Sequence, residues 1–332
     1  MFKFFRKIRL GSISKNRLGK YFIYAIGEII LVVIGILIAL NLNNQNEQRK
    51  TETKVELIFT EIMEDLIADI KATEMPMKYF AQRDSTIYLI LSDQVTYDDY
   101  ANNTLPWINS MLKWHNNVDL TQNAYDNLIR NLDAVPIKFK PVIKDLNKLY
   151  GYYKIFLKES DKKLAEFINE GYSFGSNNYS WFYIENKSQF NESIKFKLEN
   201  FRYRNDIHEY RGLGIGNQLR WSIIYRKRAI ECYKKIAELL NKPLDHESFI
   251  FNPDIAKTLV GEWHFEGDTK DSLIFYLEDK RLYAKNLNNE QWEMYYVPEN
   301  KLVDSDLTYG TIVKENGKTL LKYNDFSLIK KD

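Results

Sequence analysis

Residues 22–42 read FIYAIGEIILVVIGILIALNL. A helix rises 1.5 Å per residue, so about 20 apolar residues cross the hydrocarbon core of a bilayer. This stretch has that length with one charge, Glu28, and residues 29–40 carry none. A helix that covers one side of a soluble core shows polar positions at every turn. Residues 29–40 show none, and no other stretch of the chain matches them in length and apolarity. The sequence therefore predicts one transmembrane helix over residues 21–42.

Lys3, Arg6, Lys7, Arg9, Lys15, Arg17 and Lys20 precede the span, with no acid among them. Beyond it the charges are mixed, beginning Glu47, Arg49, Lys50, Glu52, and the remainder is acidic on balance. The excess of basic residues on one side sets topology, with the basic flank in the cytoplasm. Residues 43–332 are then expected across the membrane. The apolar run exceeds the 7–15 residues of a signal-peptide core, and its exit, Ile38-Ala39-Leu40-Asn41-Leu42, lacks the small residues of a cleavage site. An uncleaved signal anchor is expected, with its lipid bilayer as the first partner.

Glu28, Gly35 and Ala39 fall on one helix face, at spacings of seven and four. Small residues four apart let two helix backbones approach closely. An acid inside a membrane usually faces a partner or a water-filled path. Two readings stand: a contact face for a homo-oligomer or an envelope protein partner, or an acid that snorkels to the interface beside two unrelated small residues.

The pattern KFFRKIR followed by GKYFIYAIGEIILVVIGILIALNLNN resembles a family of single-pass envelope proteins of Bacteroidota-type bacteria that carry a domain of unknown function. The matching positions are Phe4, Phe5, Arg6, Arg9, Gly19, Lys20, Tyr21, Ala25 to Leu40, Asn43 and Asn44. Asn41 and Gln45 depart from it, where the family would carry Gln and Trp. The likeness covers about the first 45 residues. It implies the inner membrane, with the bulk of the chain in the periplasm, and it brings no activity, cofactor or catalytic residue.

Glycine (14) and proline (7) are scarce, whereas tyrosine (23) and phenylalanine (19) are abundant. Long helices with an aromatic core are expected. The lone cysteine, Cys232, excludes an internal disulfide and reads as a buried apolar side chain. Helical spacing from Val55 to Ile70 predicts a stalk that continues the transmembrane helix to about Met75, before Pro76. Further helices are predicted near 77–92, 104–115, 120–132, 142–170, 188–200 and 215–241, with Asp119 or Thr121 as the cap of the third and Gly171 as the stop of the fourth. Residues 171–187 are expected to form a polar-aromatic loop.

After Pro253 the pattern changes to short alternating runs separated by Asn, Asp and Gly turns, among them Asn316-Gly317, a hairpin signal. Gly261-Glu262-Trp263 resembles the first strand of lipocalin-like barrels. About 73 residues is half a lipocalin, so a small sheet or partial barrel is expected. The organisation predicted is 1–20 cytoplasmic, 21–42 transmembrane, 43–76 stalk, 77–253 helical and 254–332 antiparallel β. The fold class is membrane-anchored and mainly α, or α+β overall.

Signals for chemistry are few. His115, His208, His246 and His264 include no pair at metal-ligand spacing, and Asp245-His246-Glu247 reads as a solvated turn. The run Gly212 to Gly216 lacks the preceding strand and following Lys-Ser/Thr of a phosphate loop, and is expected to be a flexible connection. Arg220, Arg226, Lys227, Arg228, Lys234 and Lys235 make one side of the 217–241 helix basic. That face is expected to pair with acids rather than to bind nucleic acid. No catalytic residue, metal or cofactor is expected. The reading is a non-catalytic, membrane-tethered periplasmic scaffold or sensor. The alternative is a small-molecule sensor using a bundle groove or a β-unit pocket lined by Trp263, Phe265, Phe275, Tyr283 and Trp292. An envelope hydrolase comes third.

Overall fold

The computed structural model describes residues 17–331; for Arg17–Lys20 and Asp268–Lys270 only the backbone is described. The chain divides into two compact units. The first comprises residues up to Leu57 together with Asn131–Pro136, and the second holds Ile58–Arg130 and the residues from Ile137 onward.

In the first unit, helix α1 (Arg17–Ala72) begins. From Tyr21 to Leu42 every side chain except the half-buried Tyr24 is exposed. This helix is long and apolar enough to cross a membrane. The basic residues Lys3, Arg6, Lys7, Arg9 and Lys15 lie outside the described residues. Arg17 and Lys20 fall in the first turns of α1.

In the second unit, α1 buries Ile58, Phe59, Ile62, Leu66 and Ile70 on one stripe, the stalk spacing seen in the sequence. It stops at Thr73 rather than before Pro76. The Thr73 hydroxyl donates to the Ile70 carbonyl at 2.6 Å. Pro76 sits inside α2 (Glu74–Ala81), within the first turn, where a missing N–H costs nothing. The predicted 77–92 helix is split between α2 and α3 (Asp84–Leu91). Residues 104–115 form turns rather than a helix, because α4 (Tyr97–Asn102) ends on left-handed Asn103 and Trp107 is also at positive φ. The helix α5 (Asn123–Arg130) is not capped by Thr121, whose N–H and hydroxyl both donate to Asp69 instead.

The predicted 142–170 helix begins as α6 (Lys140–Lys148), passes through π turns at Leu149–Tyr153 and continues as α7 (Lys154–Asn178). Gly171 does not stop it, so half of the expected 171–187 loop is helical. Helices α8 (Lys187–Glu199) and α9 (Phe201–Arg211) follow, the first opened by an Asn186/Gln189 capping box. The expected flexible glycine loop is π-helical (Gly212–Leu219) and runs straight into α10 (Arg220–Leu239). Gly214 lets that turn lie against the Phe80 ring, 2.3 Å from where a β-carbon would stand. On α10, Lys235 pairs with Asp145 and Lys234 with Asp279. Arg226 departs from the solvated face: it is buried and donates to the carbonyls of Ile70 and Ser248.

After α11 (Pro253–Leu259) come β1 (Gly261–Phe265), β2 (Asp268–Glu278), β3 (Arg281–Asn286), β4 (Gln291–Val297), β5 (Lys301–Asp304), β6 (Tyr309–Glu315), β7 (Lys318–Lys322) and β8 (Ser327–Lys330). All neighbours pair antiparallel, and β1 pairs with β8, which closes a barrel. This corrects the expected small sheet or partial barrel to a closed one. Closure fits into so few residues because the turns are minimal. Asp279-Lys280, Glu299-Asn300 and Asn316-Gly317 each place two residues at positive φ, the geometry whose twist suits tight hairpins.

The inward side chains of the barrel form one cluster with α11, including Trp263, Phe275, Met294, Leu302 and Leu321. Outward residues Tyr295, Val297, Val303, Leu307 and Tyr309 join the core of the helices instead. β4 and β5 are thus buried on both faces, and bundle and barrel share a hydrophobic core. Tyr309 donates to the Met77 carbonyl at 2.9 Å, Asn324 to Asp84 at 2.9 Å, and Lys301 to the Ala81 carbonyl.

Candidate functional site

The five aromatic residues anticipated in the β unit do not surround one space. Trp263 and Phe275 are fully buried inside the barrel with ring centroids 5.5 Å apart, and Phe265 and Trp292 pack against the same cluster. The Trp263 indole N–H donates to the Leu259 carbonyl at 2.7 Å. Tyr283 lies on the outer face, stacked on Tyr276. It alternates with inward Leu282 and Ala284, so the strand's period of two excludes it from the interior. Gly310 is inward as well, and a β-carbon there would stand 2.8 Å from Leu321 and Tyr323. The barrel interior is packed with its own side chains.

Glu28, Gly35 and Ala39 lie on the exposed part of α1, and a β-carbon added at Gly35 would meet nothing within 4 Å. Cys232 is buried, and burial pushes its thiol up to about 12, which leaves it unreactive. Among the described residues, no three His, Cys, Asp or Glu side chains gather at metal-binding distance. His246 is held in its turn, its Nδ1 3.2 Å from the Ser248 N–H that donates to it.

A space walled by aromatic rings lies in the helical part. A cavity of about 450 Å³ is bounded by the C-terminal half of α7, the connection 179–186, α8, α9 and the turn 109–113. This falls within the ordinary size range of small-molecule sites. Aromatic rings form its walls. Tyr179 stacks on Trp181 with centroids 4.7 Å apart, and Phe196 lies 4.7 Å from Tyr179 and 5.0 Å from Trp181. Phe174 lies 5.8 Å from Tyr179. Such tilted and stacked pairs add stability beyond area burial.

Local sequence sets up each wall. The Asn186/Gln189 capping box starts α8 at the point where its Phe190, Ser193, Phe196 and Lys197 face the space. These fall at spacings of three, three and one, the stripe of a helix face. Gly175 admits the Phe182 ring, which bounds the cavity beside it. The Asn109 amide donates to the Tyr100 carbonyl at 2.8 Å, which turns its Oδ1 toward Lys197. The Lys197 ammonium donates to that oxygen at 2.9 Å and lies 5.2 Å from the Tyr100 ring centroid.

The electrostatics of this space are lopsided. Lys113, Lys197 and Arg202 face it, against Glu170 and Asp206. Arg202 is spoken for: it lies 3.7 Å from Asp206 and its guanidinium sits 3.5 Å over the Phe174 ring. Burial holds the Asp206 carboxyl above its usual range, with Arg202 pulling it back. Burial lowers Lys197 to about 8, and the charge of Lys113 pushes the same way. Such a wall of rings offers apolar surface to a molecule of matching size, and among the described residues that line it no nucleophile is hydrogen-bonded to a base.

A second, smaller cleft of about 180 Å³ lies between α10 and the barrel wall. There Arg281 pairs with Glu293 at 3.2 Å, Tyr295 donates to Glu293 at 3.0 Å, and Arg226 reaches the Ser248 carbonyl. Each of the two arginines has a carboxylate partner, Glu293 for Arg281 and Glu74, at 3.5 Å, for Arg226. The aromatic cavity escaped the sequence reading. Its signal was present in residues 171–187, where Tyr172, Phe174, Tyr179, Trp181, Phe182 and Tyr183 crowd a stretch read as loop. No protein-family model, no curated protein and no solved structure matches the chain.

Proposed function

We propose that this chain is a non-catalytic, membrane-tethered sensor or scaffold of the bacterial cell envelope, and that its helical part holds a small apolar molecule. The aromatic cavity carries the ligand-binding half of this reading. The tether rests on α1, whose exposed apolar stretch would be unstable in water but suits a lipid environment. The basic flank Lys3 to Lys20 supports a cytoplasmic N-terminus. The resemblance of the first 45 residues to single-pass envelope proteins supports an inner-membrane location with residues 43–332 in the periplasm. The closed barrel has the lipocalin-like architecture of the alternative reading. Its packed interior favours the bundle as the ligand site and the barrel as a rigid partner for α2 and α3.

The decisive experiment is native mass spectrometry of the full chain released from its membrane. A retained small molecule in wild type that is lost in Gly171→Leu supports the reading, because Gly171 lines the cavity with open space above it. Equal ligand content in both proteins, or none in either, overturns it. Protease treatment of spheroplasts tests the tether: protection of residues 43–332 overturns the proposed topology.

A further inference from the structure

The cavity has one polar feature that its apolar walls do not explain. Lys197 lies in the last turn of α8 with its ammonium inside an aromatic space. An ammonium has three donors. Among the described residues Lys197 makes one hydrogen bond, to the neutral Asn109 Oδ1, and no carboxylate stands within ion-pair distance. Asp206, the nearest acid in the wall by sequence, is engaged with Arg202. Asn109 cannot rotate to relieve this, because its amide donates to the Tyr100 carbonyl and to Asn103 Oδ1. Lys113 adds a second positive charge at the same rim. Taking a cation out of water without a counter-charge is costly, and folded proteins normally pair or neutralise it. Here the groups in contact with it are the Asn109 amide and the Tyr100 ring, which offer a dipole and a π face but no negative charge.

We propose that the cavity is built for an amphiphilic organic anion, a carboxylate-headed molecule whose apolar body lies among the rings and whose head pairs with Lys197. This rests on the reading of the cavity as a ligand site and names the class of ligand. The two free ammonium donors meet the two oxygens of a carboxylate, and the charge-assisted pair is stronger than a neutral one. Trp181, Phe196 and Tyr179 take the body. The space is about three times the engineered cavity that holds one benzene, so the body is larger than a single ring.

The test uses the full chain in lipid nanodiscs, with empty discs subtracted, and two matched probe pairs. The first is 1-naphthylacetate against 1-naphthylacetamide; the second is octanoate against octanamide. Each pair shares a body and differs in charge, and the two bodies separate aromatic from aliphatic ligands. Calorimetry at pH 7 is expected to show the acid of at least one pair binding about tenfold or more tighter than its amide, the usual worth of a hydrogen bond to a charged group. In Lys197→Met the preference disappears while amide binding is kept; Lys197→Arg retains it. Equal affinity of acid and amide in wild type overturns the anionic head and leaves the cavity reading intact, and that arm stands even if a variant fails to fold. An acid preference undiminished in folded Lys197→Met overturns the role of Lys197. No binding of any probe, with Gly171→Leu indistinguishable from wild type, overturns both.

Discussion

Gly175 sits in α7 with its bare backbone against the ring of Phe182: a β-carbon there would stand 2.2 Å from one ring atom and 2.3 Å from another. One turn earlier, Gly171 on the same helix has nothing within 4 Å of the same atom. Two glycines in one helix thus serve opposite ends. Gly175 is a packing requirement that seats a wall of the cavity, while Gly171 is a conformational cost without a contact to justify it.

The pair makes a matched prediction. Replacing a mid-helix glycine by alanine gains about 1 kcal/mol of helix propensity. Gly171→Ala is expected to stabilise the protein by about that amount. Gly175→Ala must displace Phe182, and overpacking costs about 1–3 kcal/mol, so it is expected to destabilise on balance. Urea unfolding followed by tryptophan fluorescence checks both, and a stabilised Gly175→Ala protein would show the Phe182 contact to be dispensable.

Lys197 predicts a pH dependence. Its folded value of about 8 lies below the ordinary 10.5. Between those values the unfolded chain holds more protons, so stability rises with pH across that window and is lost as pH falls through 8. The groups around it are Lys113, which acts in the same direction, Arg202 with Asp206, and the phenols of Tyr100 and Tyr203. Burial raises both phenols, Tyr100 to about 12, so they weaken the fold only above about pH 10. From pH 7 to 9.5, wild type should gain up to about 2 kcal/mol relative to Lys197→Met. Parallel pH curves for the two proteins would refute this.

Trp263 anchors the barrel to α11 through its indole bond to Leu259 and its full burial. Trp263→Ala is expected to cost about 3–5 kcal/mol, and Trp263→Phe less. Because bundle and barrel share a core through Tyr295, Val303 and Tyr309, the loss should appear as one cooperative transition at lower denaturant. Separate transitions for far-UV helix signal and for tryptophan fluorescence would show that the two parts melt independently.

The Glu28, Gly35 and Ala39 face predicts association within the membrane. A cysteine placed as Gly35→Cys is expected to crosslink two copies in native membranes, since Cys232 is buried and does not compete. The absence of a crosslinked dimer, with or without Glu28→Gln, would refute the contact face.

Legibility followed the range of the interactions. The stalk stripe from Ile58 to Ile70, the Asn316-Gly317 turn and the change to strands after Pro253 were readable because neighbours in sequence set periodicity and turn geometry. The errors fall where a distant partner decides. Gly171 looks like a helix stop and the Gly212–Gly216 run like a flexible connection, yet the chain remains helical through both, and the Phe80 ring occupies the space beside Gly214. Thr121 looks like a cap and is instead taken by Asp69, 52 positions away.

The sequence by itself determined the apolar span, its flanking charge, the mainly helical body and the terminal run of strands. Each follows from local composition and from the periods of helix and strand. The tertiary structure alone decided that the strands close into a packed barrel, because β1 must find β8 across the whole β unit. It alone decided, too, that five aromatic residues of an apparent loop wall a cavity around a lysine with no carboxylate partner. Burial and the lack of a counter-charge belong to the assembled surroundings of Lys197, which its place in the chain does not reveal.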